Sequence, residues 1–195
     1  MAQQIINIGA APNDNTGDNL RNGGGKINEN FTEVYNVGGY ANYSDNAVTT
    51  LTITTSPTKF TVNKLGSATY EGNLPLPIRG VSSLWDANSF IRPILINDCY
   101  DFRINARVQT RTSNPVYLVI DLDIGGAATP SNVIFSKRIP VDGSTPFDIG
   151  DNIPIFCRAT FLANGGQIFM STNTGSLTIT ERGVFLIRTF SETVW

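Results

Sequence analysis

The stretch Tyr100-Asp101-Phe102-Arg103-Ile104-Asn105-Ala106-Arg107-Val108-Gln109 alternates apolar and polar side chains without interruption. Because successive side chains of a β-strand point to opposite faces, the alternation predicts a strand with one buried and one solvated face. A second stretch, from Val116 to Ile124, repeats the pattern. Both stretches are typical of half-buried strands in an antiparallel sheet.

Further segments have the length and the turn-forming borders of strands. Strands are expected at 49–55, 59–65, 90–96, 133–141, 153–163, 167–172, 176–181 and 184–190, with an extended loop near 66–89. Asn164-Gly165-Gly166 and Glu181-Arg182-Gly183 are expected to form tight hairpin connections. Since no helical period interrupts this series, the pattern predicts a mainly β fold built as an antiparallel sandwich.

The N-terminal part of the chain has a different pattern. Turn-forming residues occupy 13–18, and Leu20, Ile27, Phe31 and Val34 then recur at helical spacing. These four side chains fall on one stripe of a helix, which we predict from about Asp18 to Tyr35 with Thr16 or Asp18 as its N-cap.

The predicted helix needs a partner surface. Gly23, Gly24 and Gly25 each cost about 1 kcal/mol against alanine within a helix. Burial of each apolar side chain of the stripe returns about 1.5–3 kcal/mol. The stripe is therefore expected to be buried, either on the chain's own downstream domain or on another chain. The second interpretation is the preferred one.

The leader also carries a motif. The order Asn13-Asp14-x-Thr16-Gly17-Asp18-x-Leu20-Arg21, followed by Lys26-Ile27-Asn28-x-Asn30-Phe31-x-x-Val34-Tyr35, resembles an N-terminal leader of fibres and other accessory proteins of tailed-bacteriophage virions. It departs from that leader at Asn15, where glycine is usual, and at Gly23-Gly24. The resemblance implies that these fourteen motif residues anchor the protein to the virion.

The expected domain organisation follows from these segments. Residues 1–37 form the anchoring arm and helix, 38–48 a small polar linker, and 49–195 the sandwich. The C-terminal part, Ser176 to Phe190, resembles the end of tumour-necrosis-factor-like jelly rolls, which in phage proteins usually form trimers. A jelly roll is therefore expected, with an immunoglobulin-like sandwich as the alternative. Tyr100, Phe102, Phe156 and Phe161 are expected to pack in the core or along a trimer axis.

The composition argues against several functions. Only 15% of residues are charged and the net charge is −2, which gives no electrostatic basis for nucleic-acid binding. No apolar run is long enough to cross a bilayer, and no secretory signal is visible. The absence of histidine removes His-based triads and His-ligated zinc. Cys99 and Cys157 are expected to be reduced thiols.

The remaining candidate sites have simpler explanations. Gly23-Gly24-Gly25-Lys26 lacks the flanking residues of a phosphate-binding loop, and the 13–18 turn lacks the closing glutamate of a calcium loop. Asp121 and Asp123 are expected on a solvated strand face, and Arg103, Arg107 and Arg111 to pair across strands. We therefore expect no catalysis, cofactor or metal.

The preferred hypothesis is a homotrimeric capsid decoration or cement protein, or a short head fibre. The arm would bind the major capsid protein or another virion protein after assembly in the host cytoplasm. The alternative is a tail-fibre or baseplate protein that recognises a host surface glycan or protein.

Overall fold

The computed structural model describes residues 5–11, 15–35, 39–45, 50–63, 69–73, 83–115, 117–141 and 145–190, and within these it leaves out the side chains of 32–35, 45, 72–73 and 189–190. The elements are α1 (Leu20–Tyr35), β1 (Gly39–Asp45), β2 (Leu51–Ile53), β3 (Thr58–Lys59), β4 (Tyr70–Asn73), β5 (Cys99–Thr112), β6 (Tyr117–Asp123), β7 (Val133–Pro140), β8 (Phe147–Phe156), α2 (Ala159–Asn164), β9 (Gln167–Thr172) and β10 (Ser176–Phe190).

The strands form two antiparallel sheets. One sheet has the order β4-β1-β10-β5-β8, with β2 also paired to β10, and the other has the order β3-β9-β6-β7. From β7 onward the chain changes sheet at each successive strand, so β8 and β10 lie in the first sheet and β9 in the second. Crossing between sheets in this way is typical of a double-sheet jelly roll. The predicted jelly roll is thus confirmed over its immunoglobulin-like alternative.

The core lies between the two sheets and follows the predicted alternation. Phe102, Ile104 and Val108 of β5 are fully buried, and Leu118 and Ile120 of β6 face them from the other sheet. Because each such side chain contributes about 1.5–3 kcal/mol on burial, these two strands fix which face of each sheet turns inward.

The predicted linker at 38–48 is wrong. Residues 39–45 form β1, which pairs with β10 in an unbroken register from Gly39 opposite Arg188 to Asp45 opposite Arg182. Ala41 and Tyr43 are fully buried. The segment looks like a linker because it is small and polar, but β10 supplies the hydrogen bonds that make it a strand.

Three further predictions are corrected. The strand expected at 90–96 is reduced to an isolated bridge at Ile91. The strand expected at 153–163 begins earlier, at Phe147, and its second half is helix α2, whose end at Gly165 has a φ of 74°. The hairpin expected at Glu181-Arg182-Gly183 is a bulge inside the fifteen-residue strand β10, with Glu181 at a φ of 49°.

A buried ion pair connects β10 to the start of β5. Arg188 donates through Nε to Asp98 Oδ2 at 2.9 Å and through a terminal nitrogen to Oδ1 at 2.8 Å. Both side chains are fully buried. The Tyr100 hydroxyl and the Leu95 amide also donate to the Asp98 carboxylate. These hydrogen bonds, together with those from Arg188, stabilise the buried negative charge.

Candidate functional site

Helix α1 begins at a different cap from the one expected. The Asn19 side chain accepts a hydrogen bond from the Asn22 amide at 2.8 Å, and the Asn19 carbonyl accepts one from the Gly23 amide. Asn19 is therefore the N-cap, in place of Thr16 or Asp18. The predicted helix itself is confirmed at Leu20–Tyr35.

Asp18 has another role, in a network that we call the leader clasp (Asn7, Thr16, Asp18 and Lys26). The Asp18 amide donates to the Asn7 carbonyl at 2.7 Å, and the Asn7 amide donates back to Asp18 Oδ2 at 2.9 Å. The Asn7 side chain donates to the Thr16 carbonyl at 2.7 Å. The clasp thus ties the start of the described chain to the start of α1.

Lys26 closes the clasp from the first turns of the helix. Its ammonium lies 2.7 Å from Asp18 Oδ2 and 3.0 Å from the Ile5 carbonyl oxygen. The Lys26 hydrogen bond, and after it that of the Asn7 amide, lower the pKa of Asp18 below its usual value.

The clasp explains why Gly17 stands at its position. A Cβ on Gly17 would lie 2.9 Å from both the Asn7 carbonyl oxygen and the Gly9 nitrogen. Any side chain there would push residues 7–9 away from the helix start. Gly23 is not constrained in this way, since its Cβ would lie 3.7 Å from Ile6, an ordinary van der Waals distance.

The apolar stripe of α1 is exposed in the isolated chain. Leu20 is 94% exposed, Phe31 58% and Ile27 42%. No described strand packs extensively against α1. Of the two readings left open by the sequence, burial on the chain's own sandwich is therefore not seen. The stripe remains available to another chain.

The other predicted anchoring residues are placed as follows. Arg21 and Asn28 are exposed, and Asn30 is half-buried. Val34 and Tyr35 belong to α1, but their side chains lie outside the described part, as do Asn13 and Asp14 entirely. The sequence reading missed Asn7 and Ile5, although the apolar run Ile5-Ile6-x-Ile8 was a visible signal.

A second apolar surface lies on the outer face of the first sheet. We call it the aromatic face, and it consists of Tyr40, Tyr70, Phe185, Phe156 and Cys99. The Tyr40 ring centroid lies 6.2 Å from that of Tyr70 and 5.6 Å from that of Phe185. Tyr70 is 50% exposed, and Phe156 and Cys99 line a shallow pocket of about 430 Å³ on β5 and β8.

The four residues expected in the core or on a trimer axis separate into two groups. Tyr100, Phe102 and Phe161 are buried in the core, whereas Phe156 is 42% exposed on the aromatic face. Trp85 is fully buried and stacks on Phe102, with 6.1 Å between the ring centroids.

The charged candidates are partly as expected. Arg107 pairs with Asp148 across strands, whereas Arg103 pairs with Asp101 of its own strand. The expectation of a solvated Asp123 is wrong, because it is fully buried and accepts hydrogen bonds from the amides of Gly125, Ser131 and Asn132. These backbone donors hold the 124–132 loop and satisfy the carboxylate.

Other kinds of site are not found in the described part of the chain. Its His, Cys, Asp and Glu residues form no group of three or more that could hold a metal ion. None of its helices is long and apolar enough to span a bilayer. Cys99 and Cys157 are both reduced, and burial, followed by the charge of Asp98, raises the pKa of Cys157 to about 11.

Comparison with known proteins supports the resemblance of the N-terminal part of the chain to a leader of phage virion proteins. Residues 3–65 match the model of the family described as bacteriophage T4 gp9/10-like protein, N-terminal. The resemblance to tailed-phage virion proteins is confirmed. The chain is also 35% identical over 104 residues to the baseplate wedge protein gp10 of Enterobacteria phage T4. That match covers 44% of this chain and only 17% of gp10.

Two solved structures also match this chain. Eiger TNF from S. frugiperda has a TM-score of 0.47 at 9% identity, covering 82% of this chain and 98% of its own. The PRD1 vertex protein P5 has a TM-score of 0.45 at 12% identity, covering 78% and 96%. Both TM-scores are too low to support any conclusion about the fold beyond the strand order described above. The relationship to phage structural proteins rests on the sequence matches, and these support the virion as the protein's location.

Proposed function

We propose that this protein is a non-enzymatic structural component of a tailed-phage virion that attaches to another virion protein through its leader. The observation that carries the proposal is the exposed stripe of Leu20, Ile27 and Phe31 on a helix that its own sandwich leaves uncovered. An apolar helix face without a partner is a poor arrangement in water, and a second chain resolves it. The family match to residues 3–65 includes this helix.

The sandwich supplies self-association in this proposal. Its aromatic face carries exposed Tyr40, Tyr70 and Phe156 on one side of a single sheet. In addition, one buried carboxylate oxygen of Asp101, on β5 of the same sheet, has no hydrogen-bond partner in the described part of the chain. The other oxygen of Asp101 is paired with Arg103. Apolar side chains around a carboxylate oxygen that can accept one more hydrogen bond suit an interface between copies, and we propose a homotrimer.

The proposed place on the virion rests on the gp10 relative. The first expectation was capsid decoration, cement or a short head fibre, bound to the major capsid protein or another virion protein. The gp10 relative is named as a baseplate wedge protein, and this favours the alternative of a baseplate or tail position for the present chain. Recognition of a host surface glycan or protein remains the second candidate function at that position.

Truncation tests the attachment. A chain that begins at residue 36 keeps β1 and the whole sandwich but lacks the leader and α1. We expect it to sediment as a trimer, like the full chain, and to lose binding to phage particles assembled without this protein. Undiminished binding of the truncated chain would refute attachment through the leader. A full chain that sediments as a monomer at micromolar concentration would refute the trimer.

Copy number separates the two locations. Quantitative mass spectrometry of purified particles is expected to give about a dozen trimers or fewer for a baseplate or tail position. Hundreds of copies would instead support capsid decoration.

A further inference from the structure

Residues 5–11, which we call the leader segment, lie beside the apolar stripe of α1. The Ile6 side chain lies next to the buried Gly23, since a Cβ added to Gly23 would be 3.7 Å from Ile6 Cγ2. With about 100° of rotation per residue, Gly23 lies about 60° from Leu20 and about 40° from Ile27 around the helix axis. The segment therefore runs along the border of the stripe.

This segment adds apolar surface to the stripe. Ile5 is 78% exposed and Ile8 90%, and residues 5–11 contain no charged side chain. Together the segment and the stripe form what we call the two-element surface: Ile5, Ile8, Leu20, Ile27 and Phe31.

Two of the charges beside this surface neutralise each other. Asp18 and Lys26 pair at 2.7 Å, with 17% and 29% of their side-chain surfaces exposed. On the helix, Lys26 lies about 120° from Leu20, and Glu29 lies about 180° from it. Arg21 is exposed and lies about 100° from Leu20, so a partner that contacts the two-element surface meets apolar groups with one positive charge at their edge.

We propose that Asp18 and Lys26 are positioning residues, which hold the leader segment beside α1 so that the two-element surface fits an apolar groove on the virion partner. The proposal rests on the attachment function proposed above. Asp18 is suited to this role because it bonds the Asn7 amide on one side and Lys26 on the other. Lys26 in turn binds the Ile5 carbonyl, so the removal of the Asp18 charge weakens the hold on Asn7 and also the placement of the Lys26 ammonium that holds Ile5.

The decisive variant is Asp18→Asn in the full chain, with Glu29→Gln as the matched control on the opposite side of α1. Hydrogen exchange is expected to show protected Asn7 and Asp18 amides in the parent and in the control, and to show reduced protection of both amides in Asp18→Asn, which loses the charge that pairs with Lys26. Protection of the sandwich should be the same in all three proteins, since α1 is not packed extensively on it.

Binding is then measured to phage particles assembled without this protein. Asp18→Asn is expected to weaken binding at least tenfold, and Glu29→Gln to leave it unchanged. Ile8→Ser, which keeps the clasp and its exchange protection, is also expected to weaken binding. Affinity of the parent should change less than about threefold between roughly 0.05 and 0.5 M NaCl, because few exposed charges take part.

Each outcome bears on one part of the proposal. If Asp18→Asn loses amide protection but binds like the parent, the positioning role is overturned while attachment through α1 stands. If Phe31→Ser also binds like the parent, the attachment function itself fails. A steep loss of affinity with salt would overturn the apolar groove, and unprotected Asn7 and Asp18 amides in the parent would overturn the clasp.

Discussion

Replacement of Phe31 by serine tests the attachment surface most directly. Phe31 leaves 58% of its surface exposed in the isolated chain. An aromatic side chain has about 150–250 Å² of surface, so about 90–145 Å² is left for a partner to cover. At about 25 cal/mol per Å², this burial contributes about 2–4 kcal/mol to binding. Phe31→Ser should thus weaken the affinity at least about 30-fold.

The same substitution should leave the folded chain nearly unchanged. The side chain is largely exposed, and α1 is not packed extensively on the described sandwich. The melting temperature of the sandwich is therefore expected to stay within about 1 °C of the parent, since substitutions at such sites usually change stability by less than about 0.5 kcal/mol. Circular dichroism measures this, and titration of labelled protein onto particles assembled without it measures the affinity.

Glu29→Ser is the matched control, because Glu29 is exposed on the opposite side of the same helix. It introduces the same new residue and should leave the affinity as it was. Equal losses for the two variants would mean that serine weakens the helix itself, with no specific contact at Phe31. Equal affinities for Phe31→Ser and the parent would refute the reasoning from exposed area.

Three further predictions concern other groups. The pKa of Asp18 is lowered in the folded chain. The leader clasp is therefore expected to be complete above a pH of about 3.9, the ordinary pKa of aspartate, and to be lost as the pH falls through the lower pKa of the folded chain. Hydrogen exchange of the leader amides measures this loss. Arg188→Met leaves the buried Asp98 charge without its partner, and urea unfolding should show a loss of about 3–5 kcal/mol, whereas a loss below about 1 kcal/mol would contradict the assignment. At pH 8 a thiol reagent should modify the half-buried Cys99 and spare Cys157, because the pKa of Cys157 is raised to about 11. Modification of Cys99 should be slower when the protein trimerises through the aromatic face.

Much of the architecture is encoded locally in the sequence. The alternation at 100–109 and 116–124 depends only on the period of a strand, and it located β5 and β6 together with their buried faces. The helical spacing from Leu20 to Val34 located α1 in the same way. The motif at 13–35 also gave the kinship with phage virion proteins, because it is a run of particular residues in a fixed order.

Other features depend on contacts between distant segments, and these only the tertiary structure decided. The segment 39–45 has no strand-like pattern and becomes β1 because β10, far along the chain, offers it a pairing edge. Asp123 is a charged residue whose burial is compensated by amides up to nine residues later. Glu181-Arg182-Gly183 has the residues of a turn, yet pairing with β1 keeps the strand running through it.

The candidate site shows the same division. The sequence determined that Leu20, Ile27 and Phe31 share one side of a helix, since the helical period alone fixes this. It could not determine whether the chain's own sandwich covers them, because that depends on how the finished fold packs. Nor could it place Asn7 against Asp18, since a hydrogen bond across eleven residues forms only when the turn between them has its three-dimensional shape. Side-chain periodicity is a local property of the sequence, whereas coverage and pairing are properties of the assembled fold.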